Sequence, residues 1–199
     1  MDVDQDTFIP GRHKLEAGQT LAPDTSTYEM LHNLEAPWPC LSFDLVKDQL
    51  GDNRKSYPQT VYAVAGTQAA QGSEKENRIM VMKMSSLGRM DRGEQSESED
   101  EEDDEEEQSL EPILETKDIP LNTCTNRIRV HQTPQASSST PPTTLSAVMT
   151  ESGDVFIHDV TPHLASFDNP GMTITPQQNK PVSTIRAHKK TEGYAIDWS

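Results

Sequence analysis

Between Glu94 and Glu107, eleven of fourteen residues are acidic: Glu94, Glu97, Glu99, Asp100, Glu101, Glu102, Asp103, Asp104, Glu105, Glu106 and Glu107. Like charges at this density repel one another and offer no apolar surface to bury, so this run cannot lie inside a folded core. It is expected as an excursion from whatever folds on either side. The chain of 199 residues carries 17 Lys and Arg against 33 Asp and Glu, a net charge of −16. Setting the eleven aside leaves twenty-two acids against seventeen bases, a net charge of −5. The sequence is a nearly neutral scaffold bearing one polyanionic segment.

That balance excludes several functions. A chain at −16 repels phosphates, which argues against direct nucleic-acid binding. The longest apolar stretch, Val61 to Ala65, falls far short of the ~20 residues a bilayer-spanning helix needs. Hydrophobic residues make up 32% of the chain, against about 45–50% apolar in an average globular domain, so one folded region with disordered parts is expected. Cys40 and Cys124 lack CxxC spacing, and neither a zinc site nor a disulfide framework is suggested. The start, Met1-Asp-Val-Asp-Gln-Asp, lacks the basic and then apolar pattern of a signal peptide. An intracellular, reduced protein is the expectation. The basic clusters are too short for a nuclear import signal.

Periodicity orders the rest. Residues 1–26 show no period. Thr25, Ser26 or Thr27 is placed to cap a short helix over Tyr28 to Glu35, with Glu29 completing a capping box behind Ser26. Its apolar face is narrow, and Pro37 ends it. From Trp38 to Val46 the pattern alternates, with Leu41, Phe43 and Leu45 on one face and Ser42 and Asp44 on the other, as in a half-buried strand. Tyr57 to Gly66 and Arg78 to Met84 read as two more strands of a meander. After the acidic run come strands at Asn126–His131, Leu145–Met149 and Val155–Asp159. A tight turn at 151–154 uses Gly153 for positive φ. A Pro/Asn-rich loop spans 161–182, and final strands are expected over Val182–His188 and Gly193–Trp198.

Three segments carry a resemblance. Ile157-His158-Asp159, Ala187-His188 and Gly193-Tyr-Ala-Ile-Asp-Trp198 look like degenerate WD-repeat signatures, in which a Gly-His turn and a Trp-Asp end bound a four-stranded blade. Tyr28-Glu-Met-Leu-His-Asn-Leu34 with Trp38-Pro-Cys-Leu-Ser-Phe-Asp44 resembles the N-terminal helix and outer strand of histone-binding WD-repeat proteins. Val64-Ala-Gly-Thr-Gln-Ala69, Arg78-Ile-Met-Val-Met-Lys83, the acidic run and Asn126-Arg-Ile-Arg-Val130 narrow the match. Together they resemble the glutamate-rich WD-repeat protein family over about residues 26–199. Members of that family are at least about twice this length and close a propeller of about seven blades.

The resemblance implies an all-β, incomplete WD-repeat propeller with a short N-terminal helix and a disordered acidic insert. Residues 1–26 would be a disordered tail. Residues 27–90 would hold the helix and first propeller strands, 91–118 the acidic insert, and 119–199 the truncated blades. A chain stopping at Ser199 reads as a fragment, and exposed sheet edges would make it prone to aggregate. The implied function is that of a chaperone for the large-subunit ribosomal protein L-three, acting with pre-ribosomal particles in the nucleus and nucleolus and loading in the cytoplasm. A histone-binding chromatin-assembly protein is the first alternative. A ubiquitin-ligase substrate adaptor is the second.

No catalytic arrangement, metal site or cofactor motif stands out. His13, His32, His131, His158, His163 and His188 lack ligand spacing and read as surface or blade-turn residues. Asp159 and Asp197 read as turn holders, and Trp38 and Phe43 as core. The acidic run is the feature with chemistry. A flexible polyanion attracts a basic client within a Debye length of about 8 Å and competes with nucleic acid for its cations. Ser96 and Ser98 stand three residues before Glu99 and Glu101, which suits an acid-directed kinase and adds about −1.5 to −2 each. Tyr28, Leu31 and Leu34 of the expected helix would wall a peptide groove or serve only as packing.

Overall fold

A computed structural model describes residues 8–23, 27–48, 51–90, 111–133 and 142–199. Its elements, in chain order, are β1 Cys40–Val46, β2 Gln59–Thr67, β3 Arg78–Leu87, β4 Ile113–Pro120, β5 Thr125–Gln132, β6 Thr144–Thr150, β7 Val155–Asp159, α1 Thr161–Asp168 and β8 Ser183–Ile185. They build two antiparallel sheets, ordered β1-β2-β3-β4 and β5-β6-β7-β8, with every strand beside its neighbour in sequence. The meander read from periodicity is present and gains a fourth strand.

Register decides the core. Gly66 of β2 pairs with Ile79 of β3, which pairs with Ile119 of β4, and Val64 pairs with Val81. These side chains share one face of the first sheet. Ile128 and Val148 come from the second sheet, Val160 and Phe167 from the chain around α1, and all join one buried cluster. The sheets approach most closely at Gly66, where a β-carbon would lie 2.3 Å from Cβ of Thr125. Only glycine fits there.

Four expectations on secondary structure are corrected. Residues 28–36 are not helical. The weak apolar period loses to tertiary bonds: the Met90 amide donates to the Glu29 carbonyl at 2.9 Å, and His32 Nε2 lies 2.9 Å from the Gly88 carbonyl. Thr25 and Ser26 lie outside the described residues. The segment 91–118 is not all insert, because β4 begins at Ile113. Its charges are compatible with a ladder: Asp118 pairs with Arg78 at 2.9 Å, and Glu115 stands opposite Lys83. Residues 161–168 form α1 rather than a loop, with Pro162 in the first turn, where its missing N–H costs nothing. The final strands shrink to β8, and 193–198 joins no ladder.

The faces of β1 are also inverted. Leu41, Phe43 and Leu45 are 52%, 62% and 58% exposed, while Ser42 and Val46 are buried. Phe43 is therefore not core, and Trp38 is half-buried, its indole donating to Glu76 Oε2 at 3.0 Å. The alternation was right. The buried side is the one whose polar groups serve β5. The Ile128 amide donates to Ser42 Oγ at 3.1 Å and the Val130 amide to Asp44 Oδ2 at 2.9 Å. These bonds satisfy edge amides of β5 that would otherwise lack partners.

Candidate functional site: the leading segment and the root of the acidic run

The acidic run and Ser96 and Ser98 lie outside the described residues, but both of its roots are described. It leaves β3 at Met90 and returns at Glu111, ahead of β4. The N-terminal root is pinned to the leading segment. Glu29 accepts from Met90, His32 meets the Gly88 carbonyl, and the Tyr57 hydroxyl reaches Glu29 Oε2 at 3.5 Å. Tyr28 is 43% exposed at this junction, with Leu31 and Leu34 half-buried. The three expected groove residues thus stand on one extended segment beside the polyanion's root, not on a helix face. An extended basic peptide drawn in by the run would meet an aromatic ring and a carboxylate there. This is the charge and apolar pairing from which specific peptide docking is built.

Other site expectations divide. Asp159 Oδ1 accepts the Thr161 amide at 2.9 Å, and Asp197 Oδ1 accepts the Trp198 amide at 2.9 Å, so both hold local turns. Gly153 has φ +82° in the β6–β7 turn, with its amide bonded to the Thr150 carbonyl at 3.0 Å. Cys40 and Cys124 are free thiols, pushed up by burial, Cys124 further by Glu151 and Glu192. They are protonated and poor nucleophiles. Among the described residues, no three His, Cys, Asp or Glu groups gather to hold a metal, and no helix is long and apolar enough to cross a membrane.

The histidines correct the sequence reading most. His158 and His163 are not surface residues: they are 1% and 0% exposed. Neither ring nitrogen of His158 has a hydrogen-bond partner, and His163 bonds Asn179 Oδ1 through Nε2 at 2.9 Å while its Nδ1 has none. Burial, and then the neighbouring His163, lowers the His158 pKa to about 4. Burial lowers His163 as well, against the opposing pull of Asn179 and Asp159. The alternation of Val155-Phe-Ile-His158 carried the signal, since it puts Phe156 and His158 on one face. The edge contact of these two rings, at 6.3 Å, agrees.

Sequential four-stranded antiparallel sheets, stacked by a shared core, are the architecture of consecutive WD-repeat blades. Residues 18–88 match the family described by the histone-binding protein RBBP4 and its counterpart in the CAF1 complex. The whole chain has more particular likenesses. It is 41% identical over 192 residues to "Ribosome assembly protein rrb1" of Schizosaccharomyces pombe, covering 96% of this chain and 38% of that protein. It is 37% identical over 198 residues to "Glutamate-rich WD repeat-containing protein 1" of Dictyostelium discoideum, covering 95% and 38%. It is 39% identical over 210 residues to "Protein HEAT STRESS TOLERANT DWD 1" of Arabidopsis thaliana, covering 96% and 42%. The chain spans about two fifths of the length of the curated relatives it matches. No solved structure matches it. The resemblance to glutamate-rich WD-repeat proteins, read from its motifs, therefore extends over nearly the whole chain.

Proposed function

We propose that this chain is part of an acidic, non-enzymatic assembly factor for the large ribosomal subunit, and that its client is the basic ribosomal protein L-three. The observation that carries this reading is the likeness to a protein named for ribosome assembly over 96% of the chain, together with the eleven-acid run. The run attracts and screens the client's cations. The leading segment, with Tyr28, Leu31 and Leu34 beside the root of the run, supplies shape. Ribosomal RNA then displaces the acids by offering a denser line of negative charge. The factor works in the nucleus and nucleolus, with loading in the cytoplasm.

The two sheets are read as successive blades of a propeller. The relation of β5 to β1 is echoed beyond β5, where the Trp198 indole donates to the Arg129 carbonyl at 3.0 Å and Asn126 Nδ2 to the Gly193 carbonyl at 3.1 Å. Residues 193–198 thus occupy the place where the innermost strand of a third blade would begin. The exposed Leu41, Phe43 and Leu45 form the face that a preceding blade would cover.

A second reading, a histone-binding chromatin-assembly factor, is favoured by the family match over residues 18–88. Affinity capture of the endogenous protein at physiological salt, with mass spectrometry of its companions, separates the two. Free L-three and early large-subunit precursors are the expected companions. Histones with chromatin-assembly factors, and no ribosomal protein, would replace the first reading with the second.

A further inference from the structure

The most cation-rich five residues of the chain are Arg186-Ala-His-Lys-Lys190, which hold three of its seventeen Lys and Arg. All five are exposed. They follow β8 and form a turn closed by the Thr191 amide on the His188 carbonyl at 2.8 Å. Its central residues, Lys189 and Lys190, have φ +48° and +72°. Two positive values in succession are the mark of a type I′ turn, for which Asn-Gly is the favoured pair and lysine is not. Two strained lysines in place of the easy residues point to a role for their charge. Beside them lies a cavity of about 390 Å³ lined by Ser152, Asp154, Arg186, Lys189 and Lys190. The one carboxylate there, Asp154, meets Arg186 Nε at 3.5 Å, which leaves two lysines in excess.

The position of the turn sets it apart from the acidic run. The carbonyl of Thr191 would lie 2.5 Å from a β-carbon on Gly153, in the β6–β7 turn. The Glu151 amide of that turn donates to the Cys124 carbonyl, just after the Pro120 end of β4. Both roots of the run lie at the other end of the β3–β4 ladder, where Ser85 pairs with Ile113. That ladder runs from Arg78–Pro120 to Ser85–Ile113, about 24 Å at strand rise. Cationic turn and polyanion root are therefore at opposite ends of the first sheet.

We propose that Arg186, Lys189 and Lys190 form a phosphate-binding turn that contacts RNA. Net charge argues against nucleic acid for the chain as a whole, but within a Debye length of this turn the lysines dominate. The choice of RNA rests on the ribosome-assembly reading. The acidic end holds the basic client while the opposite end touches the RNA that receives it.

The test is fluorescence anisotropy of the whole chain with a labelled single-stranded RNA of about 12 nucleotides, at about 50 and 200 mM salt. Three phosphate contacts give a log–log salt slope of about −2. Lys189→Asn with Lys190→Gly keeps or improves the turn and removes its charge. It should weaken binding about tenfold and flatten the slope to about −0.7. Lys14→Asn with Lys47→Asn removes the same charge from exposed positions elsewhere and should change neither. Absence of RNA binding, equal loss in both variants, or displacement by polyglutamate as efficient as by RNA would overturn the proposal. Binding of poly-lysine, run in parallel, reports on the acidic segment alone. Its loss would sink the client-holding reading without touching the turn, and its retention in the Asn-Gly variant keeps the two apart.

Discussion

The Val130 amide donates to Asp44 Oδ2 at 2.9 Å, a bond across 86 positions that ties the second sheet to the first. Ser42 does the same for Ile128 one pleat away. A carboxylate accepting a backbone amide is a charge-assisted bond, and losing it leaves the amide unmatched. Asp44→Ala should destabilise the chain by about 1.5–3 kcal/mol and Ser42→Ala by about 1 kcal/mol. Urea unfolding followed by circular dichroism measures both. The two losses should not add, because the groups share one strand pair.

Gly66 is the tightest point between the sheets, so Gly66→Ala must push Thr125 aside. A cost of about 1–3 kcal/mol is expected for such overpacking. Thr125→Gly in the same chain should recover part of it, which a double-mutant cycle by thermal melting would reveal.

His158 and His163 make the fold sensitive to acid. Both have native pKa values lowered by burial, His158 to about 4 against an ordinary 6.5. The unfolded state therefore binds more protons between those values, and stability falls as pH falls. The stabilisation is fully present above about pH 6.5 and is lost progressively towards pH 4, about 3 kcal/mol at most for His158. His158→Leu should flatten stability against pH over that window. Melting temperatures measured from pH 7.5 down to pH 4.5 check this, and an unchanged slope would remove His158 from the explanation.

Ser96 and Ser98 stand within the run, so phosphate there adds to a charge already dense. Ser96→Asp with Ser98→Asp should tighten binding to a basic client a few-fold at low salt and steepen its salt dependence. Isothermal titration at two salt concentrations gives both quantities.

The strands were legible where period two was strong. Leu41-Ser-Phe-Asp-Leu45 announced a strand, yet not which face is buried, because that depends on a sheet contributed by residues more than 80 positions away. β4 was hidden because Ile113-Leu-Glu-Thr-Lys-Asp-Ile119 carries its charge next to the acidic run, and only the partners Arg78 and Lys83 make that charge compatible with a ladder. The expected helix at Tyr28 failed for the opposite reason. Its local signals were favourable, and bonds from Met90 and Gly88 outweighed them. Within the candidate site, the run itself was plain from composition. Its neighbourhood with Tyr28 was not, since no pattern in one sequence reports which distant segments share a corner.

The central claim is that the acidic run holds a basic ribosomal client, and one titration tests it most directly. Purified L-three is titrated into the chain, and into a variant whose eleven acidic residues between Glu94 and Glu107 are replaced by serine, at about 50 and 200 mM salt. Binding that is tight in the native chain, weakens steeply with salt and falls at least about tenfold in the variant is the expected result. Equal affinity of the two chains at both salt concentrations would contradict the claim and leave the run as a solubilising loop.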